Sequence, residues 1–95
     1  MKYTVKFTSS YKKGYNKVKK QGKDLNKLNI IIQKLAFGEP LESKYKNHKL
    51  ENTKTFNDCN ELHIEPHWLL IYKIYENNLV LVLLETGSHS DLFKK

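Results

Sequence analysis

Four side chains in this sequence, His48, His63, His67 and His89, are suited to proton chemistry, and all four fall at or beside the ends of predicted strands. Imidazole is the one side chain whose unperturbed pKa, about 6.5, lets it both take and give a proton near neutral pH. The setting is strongly basic: 17 Lys+Arg against 10 Asp+Glu give a formal net charge of +7 with His neutral. A positive field of that density on a small body favours a polyanionic partner. Lysines explain binding, and clustered imidazoles would explain chemistry. Converging histidines also suit zinc, but no flanking Cys or short His-x-His spacing supports a metal site, so no metal or other cofactor is expected. Cys59 is the sole cysteine; it excludes an internal disulfide and a cysteine cluster and reads as a partly buried intracellular thiol.

The elements that must position these groups are legible from periodicity. Ninety-five residues suffice for a single domain, 1–95, with one hydrophobic core. Hydrophobic residues make up 39% of the chain, aromatics included, which is the composition of a folded protein. No apolar run approaches the roughly 18 to 20 residues of a membrane span, and the N-terminus lacks the apolar block of a signal peptide. A cytoplasmic location and no membrane partner are expected.

A first strand covers Lys2–Phe7, with Tyr3, Val5 and Phe7 on one side. Ser9 or Ser10 is expected to cap a helix whose apolar stripe is Tyr11, Tyr15 and Val18, with Lys12, Lys13, Lys17, Lys19 and Lys20 around the rest. After Gln21-Gly22, Asp24 caps a second helix carrying Leu25, Leu28, Ile31, Ile32 and Leu35, closed by Gly38 and Pro40. The short break predicts an antiparallel helix pair. From Glu39 to Asn57 the pattern is lost, and so long a connection is either functional or mobile. Three strands follow, Cys59–Glu65, Trp68–Tyr75 and Leu79–Glu85, with Glu76-Asn77-Asn78 as the turn between the last two. The class is α+β: a β-α-α-β-β-β domain with a mostly antiparallel four-stranded sheet and both helices on one face.

Antiparallel pairing then fixes neighbours. A hairpin at Glu76–Asn78 sets Tyr75 opposite roughly Leu79 and Trp68 opposite roughly Thr86. His63, His67 and His89 therefore converge on one end of the sheet, and the long connection could bring His48 and Lys46 to them. Plainer alternatives stand beside this. Any of the histidines could be an ordinary surface residue, Trp68 could be core, Phe93 could seal the sheet edge, Tyr45 could merely anchor its loop, and the lysine stripe could be a solvated face.

Three blocks carry a resemblance: Tyr45-Lys46-Asn47-His48-Lys49-Leu50, then Leu62-His63-Ile64-Glu65-Pro66-His67-Trp68-Leu69-Leu70-Ile71-Tyr72-Lys73, then Thr86-Gly87-Ser88-His89-Ser90-Asp91-Leu92-Phe93. In this order they resemble the YafQ-type toxins of bacterial toxin–antitoxin modules, within the RelE/ParE superfamily. The resemblance implies the fold just derived and a ribosome-dependent messenger RNA endonuclease neutralised by a cognate antitoxin protein. It assigns His48, His63 and His89 to the active site, with Trp68 and Phe93 at supporting aromatic positions. His67 stands where the family usually has Asp, so it either replaces that group in proton transfer or only hydrogen-bonds. Asn60 and Glu85 stand where Arg is common, which leaves Lys46, Lys49 and Lys54 to supply charge to RNA. The implied reaction is metal-independent cleavage by histidine acid/base chemistry. A noncatalytic RNA- or ribosome-binding protein of the same fold is the alternative, and the histidine set argues against a gyrase-directed relative.

Overall fold

The computed structural model describes residues 1–93. The N-terminal alternation forms β1 (Thr4–Phe7), followed by α1 (Ser9–Lys20). Its cap is Thr8, one residue before the expected serines, with Oγ1 accepting the Tyr11 N–H at 3.0 Å. Thr8 wins because it is still extended and tied to the sheet: its N–H donates to the Leu83 carbonyl at 3.1 Å and its hydroxyl to the Leu84 carbonyl at 2.7 Å. The strand's last anchor is thus the helix's cap. α2 (Leu25–Ala36) starts at Asp24 as expected, the carboxylate accepting the Asn26 N–H at 3.0 Å. It ends where Gly38 takes φ +74°, a left-handed closure that costs glycine little.

The remaining elements are β2 (His48–Lys49), β3 (Asn60–Glu65), β4 (Trp68–Tyr75), β5 (Val80–Gly87) and a short α3 (His89–Phe93). The strand order is β1-β5-β4-β3-β2, parallel between β1 and β5 and antiparallel elsewhere. A fifth strand therefore joins the expected four. The 39–57 connection, expected to lack regular structure, holds β2 and a 3₁₀ turn at Ser43–Tyr45. Two residues have no periodicity to read; β2 exists only because β3 offers it an edge, with His48 opposite Glu61 and Lys49 opposite Asn60.

The hairpin register also departs from the count. Tyr75 faces Val80, since Leu79 joins the turn with φ +53°. A further shift between Ile71 and Tyr72 places Ile71 opposite Glu85 but Tyr72 opposite Leu83. This bulge inserts one residue into β5 and reverses its parity. Leu81 and Leu83 before it, like Thr86 after it, face the helices, whereas Leu84 packs on the other side.

Two clusters fill the two faces. Under the helices, Leu28 and Ile31 meet Leu62, Trp68, Leu70 and Leu81, each at most 1% exposed. On the outer face Phe56, Cys59 and Ile71 form a smaller core, against which Leu50, Leu84, Leu92 and Phe93 pack. Burial pushes the Cys59 thiol up in pKa, and its S–H donates to the Asn57 carbonyl at 3.2 Å. Among the described residues no helix is long and apolar enough to cross a membrane.

Candidate active site

The outer face carries the imidazoles, and strand register says how. Across β2, β3, β4 and β5 one row reads His48, Glu61, Ile71, Glu85; the next reads His63, Leu69, Gly87. His63 and Gly87 are two strands apart, roughly 10 Å between backbones. His89 opens α3 two residues further on.

His48 is placed by its neighbours in sequence. Asn47 Oδ1 accepts from the Tyr72 hydroxyl at 2.6 Å, and burial of that hydroxyl raises its pKa. Lys46 adopts the left-handed φ of +49° that ends the 3₁₀ turn, and its carbonyl lies 2.7 Å from His48 Nδ1. On the far side of the ring, Nε2 is 3.2 Å from Glu61 Oε1. One acceptor thus stands at each ring nitrogen and fixes the plane of the imidazole. The same Glu61 oxygen is 3.9 Å from His63 Nε2. Glu61 is only 7% exposed and sits between the two imidazoles. No motif in the sequence marks Glu61 as a site residue, although the alternation Glu61-Leu62-His63 puts it on the face of His63.

His63 is half-buried and lines an open groove of about 510 Å³ with Lys27, Lys44, Tyr45 and Lys46. The Lys44 ammonium lies 5.2 Å from the Tyr45 ring centroid, which fixes a cation above an aromatic face on the groove wall. Glu65 does not join the imidazoles. A register shift after His63 breaks the alternation, and Glu65 binds Lys27 at 2.9 Å and Lys23 at 3.2 Å. These hydrogen bonds hold its carboxyl below the usual range, Lys27 contributing most, and they tie β3 to the start of α2.

His89 is exposed, with its ring centroid 4.5 Å from that of Phe93; Phe93 meets Phe56 edge-on at 5.8 Å. α3 is fastened to α1 by Lys17 Nζ, 2.6 Å from Asp91 Oδ1, and this hydrogen bond holds the Asp91 carboxyl low. Of the expected site residues, the structure brings His48 and His63 together through Glu61. His89 lies outside the sheet, two residues beyond Gly87, the β5 residue on the His63 row. His67 is exposed in the Pro66-His67 turn and makes no hydrogen bond or ion pair among the described residues. Trp68 lies fully buried on the helix side, donating from Nε1 to Thr86 Oγ1 at 2.9 Å while Thr86 donates to the Leu69 carbonyl at 2.9 Å. It supports the sheet beneath Leu69 and Gly87 and does not reach the outer face. Lys49 lies 3.5 Å from Asp58, and Lys54 sits on the turn that Phe56 anchors. Among the described residues no group of three or more His, Cys, Asp or Glu side chains is placed to hold a metal ion.

This geometry has close relatives. A family of bacterial toxins of type II toxin–antitoxin systems, YafQ, matches residues 3–94. The mRNA interferase toxin YafQ of Escherichia coli K12 is 34% identical over 91 residues, 94% of either chain. A metal-bound toxin from Helicobacter pylori shares 35% identity at a TM-score of 0.87, covering 96% of this chain and 99% of that one. The toxin structure in the E. coli DinJ-YafQ toxin–antitoxin complex shares 31% at 0.85, covering 98% and 99%. Fold and comparisons together define a toxin of the RelE/ParE superfamily. Within it, the chain belongs to the YafQ family of type II toxin–antitoxin systems.

Proposed function

We propose that this chain is a messenger RNA endonuclease that cuts on the ribosome by metal-independent acid/base chemistry. The observation that carries the reading is the His48–Glu61–His63 arrangement, with His89 opening the helix that follows Gly87 on the His63 row. His63, half-buried beside a carboxylate, removes the proton of a ribose 2′-OH as that oxygen attacks the adjacent phosphorus. His89, exposed at the start of α3, gives a proton to the departing 5′ oxygen. The P–O5′ bond breaks as the O2′–P bond forms, leaving a 2′,3′-cyclic phosphate and a 5′-hydroxyl. Each placed proton transfer contributes about 10²–10⁴-fold. His48, oriented between Glu61 and the Lys46 carbonyl, hydrogen-bonds or shares proton work at the scissile phosphate, where charge grows on the non-bridging oxygens. Lys46 and Lys49 near the imidazoles, and Lys54 from the turn at Thr53–Phe56, compensate in binding RNA for the Arg that the resemblance expects near Asn60 and Glu85, and His67 replaces the family's Asp in proton transfer or in hydrogen bonding.

Ribosome dependence is what the family resemblance implies, and it suits the modest power of a few imidazoles, since an oriented substrate recovers many orders of magnitude. The E. coli relative is an mRNA interferase that has been solved with its antitoxin DinJ. By extension, this chain cuts messenger RNA and is held by a cognate antitoxin. The test is a primer-extension map of a defined transcript with and without programmed ribosomes, for the parent, His63→Ala and His89→Ala. Codon-aligned cuts that need ribosomes, survive a chelator and vanish in both variants are expected. Cuts on naked RNA would remove the ribosome from the reading, and loss of cuts on chelation would remove the metal-free mechanism. Binding without cuts in the parent would leave a noncatalytic ribosome-binding protein.

A further inference from the structure

The lysines of α1 have no part in that reaction, yet some of them build a second groove. β1 ends at Phe7 opposite Leu83, so β5 from Leu84 onward has no strand beside it there. α1 crosses this open edge. Gly14 makes the crossing close: a Cβ there would stand 2.1 Å from the Thr86 carbonyl oxygen. Between α1 and the turn at Thr53–Phe56 lies an open groove of about 780 Å³. Ser10, Lys13 and Lys17 form one wall and Lys54 stands on the other, with Phe56 and Phe93 between them.

The far wall is built firmly. The Thr53 N–H donates to the Phe56 carbonyl at 2.8 Å, while Thr53 Oγ1 accepts the N–H groups of Thr55 at 3.2 Å and Phe56 at 3.0 Å. Phe56 is 6% exposed and pinned in the outer core. Lys54 is therefore presented by a fixed turn. The acidic groups of the lining, Asp91 and Glu85, each have partners already, Asp91 through Lys17. Lys13 and Lys54 are in no ion pair among the described residues. Phe93, the ring against His89, lies in this groove, so the groove opens onto the candidate site.

We propose that this groove is a second binding site for single-stranded RNA backbone, with Lys13 and Lys54 reaching phosphate oxygens from opposite walls. The inference rests on the nuclease reading for its direction, because the shared Phe93 connects the groove to His89. With His63 in the 510 Å³ groove on the β3 side, the chain holds one basic groove on each side of its histidines. The phosphodiester chemistry is common to message and ribosomal RNA, and the two sources are separable.

The experiment measures binding of Lys13→Gln/Lys54→Gln, against the control pair Lys12→Gln/Lys20→Gln on the outer surface of α1, across a salt series. One arm uses a single-stranded RNA oligonucleotide and the other uses empty ribosomes; thermal unfolding checks each variant. The groove pair is expected to weaken binding and lower the log–log salt slope by about 1.4, two phosphate contacts at about 0.7 each, with the control pair near the parent. Loss in the oligonucleotide arm assigns the groove to message, and loss confined to ribosomes assigns it to ribosomal RNA. Equal losses in the two pairs would reduce the groove to diffuse charge and overturn the proposal, as would no loss in either arm. If the parent binds as expected but does not cut RNA, the groove stands and the nuclease reading falls.

Discussion

The two faces of the sheet are made from the same strands and held to different standards. Leu70 and Ile71 are adjacent in β4 and both fully buried, yet among the described residues Leu70 joins thirteen other buried residues under the helices and Ile71 joins two, Phe56 and Cys59. The helix side excludes water and carries the fold. The outer side uses just enough apolar surface to pin the 50–59 segment and α3, and leaves Glu61 and the histidines at its margin. Left unsealed, this face depends for its order on a few aromatic contacts and ion pairs.

Substitutions on either side sharpen this contrast. Leu70→Ala is expected to cost about 2–5 kcal/mol in urea unfolding, with activity tracking the folded fraction. Ile71→Ala should fall at the lower end of that range, but RNA cleavage should drop further than unfolding explains, because the cavity lies under Phe56 and Phe93. Equal behaviour of the two variants would dissolve the distinction between the faces. Gly14→Ala puts a methyl into the Thr86 carbonyl and should cost about 1–3 kcal/mol by forcing α1 off β5, which a thermal melt will register.

The smallest effect belongs to the α1–α3 fastening. Lys17–Asp91 is solvent-exposed, so Asp91→Asn should change global stability by less than about 1 kcal/mol. Because Lys17 lowers the Asp91 pKa in the folded state, the tie is fully present above the ordinary carboxylate range and is lost as pH falls through the lowered value. Amide exchange in α3 should accelerate over that acidic window in the parent and show no such step in Asp91→Asn.

Local pattern was enough to determine much of this molecule. The alternation in Cys59–Glu65, the stripe from Leu25 to Leu35 and the Asp24 cap are encoded by neighbours two to four positions apart, and they gave the α+β class and strand positions to within a residue or two. The same alternation placed His63 and Glu61 on one face. It could not show that Glu61 sits between His48 and His63, because that contact needs β2, a two-residue strand formed only against a preexisting edge. Nor could it show the bulge that reverses β5 after Leu83, since an inserted residue leaves the apolar run 79–84 looking uniform. Residue types and periods set the elements and the imidazoles; long-range pairing alone decided which imidazole shares a carboxylate, and that α1 and a distant turn enclose a groove.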